Sequence, residues 1–547
     1  MKRTSFLTAV ASGLLILAAA GAAAFELPPL EALDSDEDRL STLQKVQVSS
    51  FNLEGNTVFT DDELAALTAP YENREITFED LQEVRDRLTK YYIANGYRTS
   101  GARIPDQKVE NGVITVEIVE GKLTEITVSG NDWLRTRYVK SRLERGTDPD
   151  DPVNVYPLQG RLKLLKQDPL VDNVNAELRP GLVLGEATLN VEIDEARPYY
   201  LEVGFNNHQS PSIGAYRGEI RAGLLNITGW GDSLDAEYGI TEGLDDFSVR
   251  YAIPVTRWDT TLSGGFDRSE SKVVADPFGP LDIQSETDTW HVAVRHPFYR
   301  TVTREFAVSL EFENRQGETS LLGEGFSFSE GVPPDGESEI AVLRFAQEWI
   351  DRTLTQVIAA RSTFSFGLDA MGATIHDDDR PDGRFFTWLG QFQWLRRYDF
   401  LDSQTLFRVD LRLSDDPLLP MEKFAIGGAD TVRGYRENQI TTDGGVVASL
   451  EWRIPVVQLR VPLVSAGPAD GWLRVCPFVD VGSGWNAEGD DPDPDTLWGT
   501  GLGLRWDLRE DVYARIYWGY AWEDVADPSD RDLQDDGFHF EIGARLF

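Results

Sequence analysis

From Tyr199 to Phe547 apolar and polar residues alternate with a period of two, as strands do when their two faces meet different surroundings. In "EFAVSLEFEN", Phe306, Val308, Leu310 and Phe312 share one face, and Glu305, Ser309, Glu311 and Glu313 share the other. "VVASLEWRI" separates Val446, Ala448, Leu450, Trp452 and Ile454 from Ser449, Glu451 and Arg453. "WGTGLGLRWDL" sets Trp498, Leu502, Leu504, Trp506 and Leu508 against three glycines, Arg505 and Asp507. A β-sandwich alternates too, but its strands are shorter and its apolar face points inward. Strands of about ten residues with aromatic ends and charged opposite faces fit an apolar outside and a polar lumen. About sixteen such segments follow one another, joined by alternating short and long connections. "RED" (Arg509 to Asp511) is tight, whereas Ser414 to Gly445 is a loop of 32 residues without strands of its own. Outer-membrane barrels keep short turns in the periplasm and long loops outside. That phasing puts both ends of the barrel at the periplasmic rim and the long loop on the extracellular side.

Upstream, the pattern becomes mixed and repeats itself. "FNLEGNTVFT" carries Gly55-Asn56 after a short strand, and "ITVSGNDWL" carries Gly130-Asn131 in the same setting 75 residues later. Val116-Glu117-Ile118 returns as Val191-Glu192-Ile193, again 75 residues on. Each unit reads strand, Gly-Asn turn, helix, helix, strand, strand. The predicted helices lie near Asp61 to Leu67 and Thr77 to Asn95 in the first unit, and near Leu134 to Glu144 and Pro157 to Lys166 in the second. Leu81, Val84, Leu88 and Tyr92 make an apolar stripe at spacings of three and four, and Gly96 stops that helix. The expected domains are 46–121 and 122–198, each near the lower size limit for folding alone.

Composition narrows the setting. Lys2 and Arg3, an apolar run from Phe6 to Ala20 and the small residues Ala22-Ala23-Ala24 read as a secretory signal peptide, 1–24, cleaved before Phe25. Residues 25–45 read as an acidic, proline-containing linker. The net charge of −40 and the absence of a basic patch exclude nucleic acid as a partner. The single cysteine, Cys476, leaves no intrachain disulfide. No mature segment is apolar enough for a spanning helix, which says nothing against a barrel.

One stretch fits neither period. "GGADTVRGY" frames Arg433 between Gly427, Gly428, Asp430, Val432, Gly434 and Tyr435. Its loop, with apolar "PLLPMEKFAIGG" before the arginine, could extend roughly 60 Å from Ser414 to Arg433, against an apolar band about 25 Å tall. It is long enough to fold back into the lumen. In "RVCPFVDVGSGW", Val475, Val479 and Val481 share the apolar face, so Arg474, Phe478, Asp480 and Gly482 point inward. Asp480 is then a lumenal carboxylate available to Arg433. Spacing alone leaves open a surface turn with a solvated arginine.

"VRGY" (Val432 to Tyr435) and "FVDVG" (Phe478 to Gly482) resemble the two signature motifs of the outer-membrane superfamily that joins periplasmic POTRA domains to a sixteen-stranded barrel. Within it, "NTVFTDDELAALTAPY", "LQGRLKLLKQDPLVDNVNAELRPG" and "NITGWGDSLDAEYG" resemble the ShlB/FhaC/HecB haemolysin secretion/activation family, the transporters of two-partner, or type V, secretion. The resemblance implies two α+β POTRA domains followed by an all-β barrel over 199–547, located in the outer membrane with the POTRA domains in the periplasm. It implies capture of a large unfolded exoprotein and its passage through the barrel without ATP, with no cofactor, metal or catalytic residue. Outer-membrane lipid and, during insertion, the barrel-assembly machinery are the other implied partners. It maps the pore arginine onto Arg433 and its lumenal partner onto Asp480. Two features depart from the family: few residues precede the first repeat, so a plug helix is not expected. Phe547, the counterpart of a C-terminal insertion signal, is out of phase with Phe538, Phe540, Ile542, Ala544 and Leu546 and also fits a membrane-interface aromatic.

A barrel-assembly factor of the same superfamily is the nearest alternative, and two repeats rather than a longer array favour secretion. A passive porin needs no periplasmic repeats. A hydrolase finds no G-x-S-x-G, and His208, His291, His296, His376 and His539 show no ligand spacing.

Overall fold

The computed structural model describes residues 39–462, 464, 465, 467–525 and 530–547. The signal peptide, nearly all of the acidic linker and the expectation of no plug helix lie outside them. The chain divides into two compact units, Met1–Ile93 with Ser100–Glu120, and Ala94–Thr99 with Gly121–Phe547.

In the first unit, helices α1 (Asp61–Thr68) and α2 (Phe78–Ala94) accompany a three-stranded sheet. Its middle strand, Val113–Val119, runs parallel to Ser50–Glu54 and antiparallel to Gly101–Arg103. Thr60 opens α1 with a reciprocal capping box to Glu63. Leu81, Val84, Leu88 and Tyr92 are all buried, so the stripe at spacings of three and four is the packed face of α2. The Gly-Asn turn has a specific cause. Gly55 holds φ +90°, and a β-carbon there would stand 2.5 Å from the Ile118 carbonyl oxygen. Asn56 Nδ2 donates to the Phe59 carbonyl at 3.0 Å and to Asp61 at 2.8 Å. The Glu120 carboxylate accepts from the amides of Thr57 (2.8 Å) and Val58 (3.0 Å) and from the Tyr92 hydroxyl (2.7 Å). One feature departs from the sequence reading: Lys45–Val48 and Arg74–Thr77 form a separate two-stranded sheet. Four residues are too few for alternation to register.

The second repeat carries the same devices 75 residues on. Asn131 Nδ2 donates to the Leu134 carbonyl and the Thr136 hydroxyl, while Glu195 accepts from the amides of Trp133 (2.9 Å) and Leu134 (2.6 Å). Its sheet places Glu186–Glu195 between Lys122–Ser129, parallel, and Val171–Pro180, antiparallel. Helices α3 (Thr136–Leu143) and α4 (Val155–Lys166) cover it with Tyr138, Val139, Leu143, Leu158 and Leu165. α4 starts two residues before the predicted Pro157 because Asn154 caps it, accepting from the Tyr156 amide at 2.9 Å, and proline is tolerated in a first turn.

Sixteen long antiparallel strands from Tyr199–Asn206 to Phe538–Arg545 close into a barrel, and the two-residue Glu324–Gly325 folds back on its seventh strand. Last and first strands close the ring through the pairs Glu541↔Asn206 to Arg545↔Glu202. The apolar stripes face outward: Trp290, Val292, Leu502 and Trp518 are 60%, 58%, 48% and 45% exposed. Such a continuous apolar exterior is unfavourable in water and matches a lipid-facing band. Polar faces turn into the lumen and pair, as Arg217 does with Glu237 and Asp246 and Arg295 with Glu305 and Glu348. Two connections differ from expectation. Residues 459–471 make a long connection at the short-turn rim. The long loop, residues 415–443, does contain strands: Phe424–Ile426 pairs with Ile440–Thr442.

The turn after the second barrel strand seats the second repeat. The Arg135 amide donates to the Gly229 carbonyl at 3.0 Å and its Nε to the Thr228 carbonyl at 3.0 Å. A β-carbon at Gly231 would stand 2.5 Å from the Tyr138 ring. Asp232 folds the turn by accepting from the Thr228 amide (2.9 Å) and hydroxyl (2.7 Å). Arg142 reaches Asp259 of the next turn at that rim at 2.8 Å. "NITGWGDSL" is thus a socket for α3, and its glycines are clearance.

Candidate functional site

The loop of residues 415–443 folds inward and packs on the barrel wall. Gly427 and Gly428, at φ +112° and +106°, turn it after Phe424–Ile426. The Gly427 amide donates to the Thr431 hydroxyl at 2.8 Å. Ile426, Val432, Tyr435 and Ile440 then form a buried cluster with Val447 and Leu497 of the wall.

Arg433 is 3% exposed and Asp480 fully buried. The guanidinium meets Asp480 with both arms, Nε to Oδ2 at 2.8 Å and Nη2 to Oδ1 at 2.9 Å, the fork geometry of a strong charge-assisted pair. The Arg433 backbone amide also donates to Asp480, at 3.1 Å. Nη1 reaches Glu451 at 2.6 Å and Nη2 the Ser449 hydroxyl at 3.2 Å. Its Cζ lies 3.6 Å from the centroid of the Phe478 ring and 4.8 Å from that of Tyr517, cation–π contacts with two rings that meet edge to face.

Strand register puts these partners together. Ser449 pairs with Asp480, and Asp480 with Gly499; one inward rung away, Glu451 pairs with Phe478, and Phe478 with Gly501. The next strand over continues the two rungs as Ala521 and Gly519. Carboxylates occupy one side of this patch and glycines the other. A β-carbon at Gly499 would fall on the Arg433 carbonyl oxygen, and one at Gly519 would stand 2.6 Å from the Gly434 nitrogen. At Gly482 it would stand 2.8 Å from a Val432 methyl carbon. The glycines form a groove that admits the loop backbone. Gly434 itself, at φ +106°, donates its amide to His539 Nε2 at 3.4 Å. Tyr435 donates its hydroxyl to the Trp498 carbonyl at 3.0 Å and accepts from the Glu523 amide at 3.0 Å.

Among the residues singled out from sequence, Val432, Arg433, Gly434, Tyr435, Phe478, Asp480 and Gly482 meet here. Gly427 and Gly428 shape the turn above. Asp430 is exposed and its carbonyl accepts from Arg408 at 3.4 Å, so its carboxylate is not part of the clasp. Phe547 lies at the opposite rim, 48% exposed, with its ring 5.9 Å from that of Tyr199. Its carbonyl accepts from the Leu201 amide, so the chain end extends the ladder that closes the barrel. Glu451, Ser449 and Tyr517 were not singled out as site residues, and His539 entered only as a histidine without ligand spacing; the inward phase of Glu451 was readable, but not the register that brings it to Arg433. Among the described residues no three metal-ligating side chains converge.

Comparison with known proteins agrees with this architecture. Residues 185–506 match the family described as haemolysin secretion/activation protein ShlB/FhaC/HecB, and residues 46–121 match the POTRA domain, ShlB-type. The outer membrane transporter CdiB of Dickeya dadantii (strain 3937) is 22% identical over 87% of this chain and 82% of its own length. The heme/hemopexin transporter protein HuxB of Haemophilus influenzae is 22% identical over 78% of this chain and 74% of its own. The solved structure of CdiB from Escherichia coli superposes with a TM-score of 0.65 at 21% identity, covering 92% of this chain and 91% of that one. BamA from Haemophilus ducreyi lacking POTRA domains 1–3 shares the fold at a TM-score of 0.57 and 13% identity, over 91% of this chain and all of that one.

Proposed function

Because the chain belongs to the ShlB/FhaC/HecB haemolysin secretion/activation family, an outer-membrane barrel with POTRA domains in the periplasm, we propose that it exports one large exoprotein to the cell surface. Its relatives are two-partner secretion transporters. The POTRA domains capture the unfolded passenger, by adding its extended segments to an exposed sheet edge. The barrel conducts it outward, and the loop of residues 415–443 governs the path.

The observation that carries this reading is the Arg433 clasp. A loop that only decorated the surface would have no use for a buried guanidinium matched by Asp480, Glu451 and a glycine groove. A passive porin would have no use for two repeats with the second seated on the rim. Held in the lumen, the loop obstructs it; moved aside, it leaves a polar wall whose arginines and carboxylates suit an unfolded chain of mixed sequence. Phe547 marks the chain for insertion by the barrel-assembly machinery. None of these roles calls for a catalytic residue.

The test is co-expression with a candidate passenger, a very large secreted protein to be sought in the neighbouring reading frame. Wild type delivers that protein to the medium. Deletion of Lys45 to Glu120 leaves a heat-modifiable barrel and abolishes capture in a pull-down. Retained capture excludes recognition by the first POTRA domain, and an unchanged passenger level without the transporter excludes the function.

A further inference from the structure

The loop enters the lumen some distance before Arg433, and its entry limb is held by a second charge of opposite sign. Glu422, 4% exposed, lies in the short turn Pro420–Glu422. Its Oε1 accepts from Arg344 Nη2 at 2.7 Å, and its Oε2 from Arg344 Nη1 at 3.3 Å and Arg412 Nη2 at 3.4 Å. Arg315 stands 3.6 Å away and donates to the Met421 carbonyl at 2.5 Å. Leu418 and Leu419 are buried against Ile340, Val342 and Phe385.

These partners come from strands other than those of the clasp. Arg315 and Arg344 lie on the seventh and eighth strands of the ring and Arg412 on the eleventh, whereas Ser449 and Glu451 lie on the twelfth, Asp480 on the thirteenth and Gly499 on the fourteenth. Arg315 and Arg344 thus stand six and five strands from Asp480, while Arg412 borders the strand that carries Glu451. The loop is pinned at one place by an arginine among carboxylates and at another by a glutamate among arginines. Each site also has its own apolar cluster.

We propose that Glu422 is a positioning residue, the second anchor of the pore loop, and that its release opens the lumen on the side of the seventh and eighth strands while the Arg433 clasp stays shut. This rests on the reading that the loop obstructs the pore. Wall arginines suit the task because Arg344 is shared: it also reaches Glu313 at 3.3 Å and the Ser365 hydroxyl at 2.9 Å. It keeps partners when Glu422 leaves, so its own charge is not stranded in a buried site.

The experiment uses the purified full chain in planar lipid bilayers with potassium chloride as the probe and no passenger, so it does not depend on export. Glu422→Gln keeps the shape and removes the charge. Open probability should rise on the order of tenfold, the factor expected for losing one charge-assisted hydrogen bond. Glu422→Asp should restore part of the closure, a readout that simple loss of packing would not give. Arg344→Gln should match Glu422→Gln, and the double variant should not exceed either. Glu422→Gln with Arg433→Ala should exceed both singles, because the anchors are separate. Should Glu422→Gln fail to give a heat-modifiable barrel, Arg344→Gln and Glu422→Asp carry the test, and each should open more often than wild type. Wild-type gating in a folded Glu422→Gln barrel or in both substitutes, or strict additivity with Arg344→Gln, overturns the proposal. If the wild type fails to export, the function falls while the gating cycle stands; if export succeeds and the cycle fails, only the second anchor falls.

Discussion

Both the POTRA repeats and the barrel use a carboxylate to hold a glycine-containing turn, and the difference lies in what the carboxylate holds. Glu120 and Glu195 accept backbone amides of the turn beside them, at half-buried positions. The partners are neutral and part of the same small domain, so the contact adds to stability and has no reason to open. Asp480 and Glu451 hold a charged side chain of a distant loop with water excluded. Coulomb attraction there is offset by the desolvation of three charged groups, so the net stabilisation is small although breaking one partner is costly. Such a contact fixes position without fixing it permanently, which suits the proposed movement of the loop out of the pore.

The largest expected effect breaks the lumenal side of this comparison. Arg433→Ala or Asp480→Ala strands the opposite charge in a buried site, at a cost on the order of 3–5 kcal/mol. The loop should detach, bilayer conductance should rise, and export should no longer match the wild-type level while the barrel remains heat-modifiable. Export at the wild-type level from a folded Arg433→Ala barrel would remove the clasp from the mechanism. Next comes the groove. Gly519→Val places branched carbons where the Gly434 backbone runs, and overpacking of this kind costs about 1–3 kcal/mol. It should phenocopy Arg433→Ala more weakly, and unchanged gating would show that the loop does not lie in that groove.

A triple replacement, Arg433→Met with Asp480→Leu and Glu451→Leu, sharpens the comparison. Exchange of a buried ion network for apolar residues is often neutral in stability. The expected result is a wild-type melting temperature with export lost; a large drop in melting temperature would mean that the clasp serves folding. The smallest effects belong to the repeats. Glu120→Gln or Glu195→Gln should cost about 1 kcal/mol, read as faster hydrogen exchange confined to that repeat. Burial raises the Glu120 carboxyl, but hydrogen bonds from Thr57, Val58 and Tyr92 outweigh it and leave the group below its usual value. Its contribution is then present above the ordinary glutamate range and is lost as pH falls through the lowered folded value. Protection in the first repeat, corrected for the intrinsic exchange rate, should fall on acidification, and Glu120→Gln should remove that fall.

Legibility in the sequence followed the length scale of each signal. Barrel strands of eight to eighteen residues advertised their faces by alternation, and the repeat advertised itself by Gly55-Asn56 and Gly130-Asn131. The paired four-residue strands Lys45–Val48 and Arg74–Thr77, and the three-residue strands inside the long loop, were too short for any period. Asp480 could be aimed at the lumen by counting in twos. Glu451 points inward by the same count, but its place beside Arg433 depends on the register between Gly444–Gln458 and Trp472–Trp485, which shifts at Pro455/Val457. Glu422 gave no signal, because the arginines that hold it come from three separate strands. Of the glycines that alternation sets opposite the apolar face of "WGTGLGLRW", Gly499 meets the Arg433 carbonyl, whereas Gly501 and Gly503 meet the rings of Phe478 and Tyr517, and no period in the sequence tells them apart.

The central claim is that the loop must leave the wall for the passenger to pass. A β-carbon built at Gly482 falls against the Ile426 side chain, within the reach of a disulfide. A cysteine pair at these two positions, in a Cys476→Ala background, would lock the loop when oxidised. Export of the passenger by this variant should stop under oxidation and return on addition of a membrane-permeant reductant. Wild-type export from the fully oxidised, locked barrel would contradict the account.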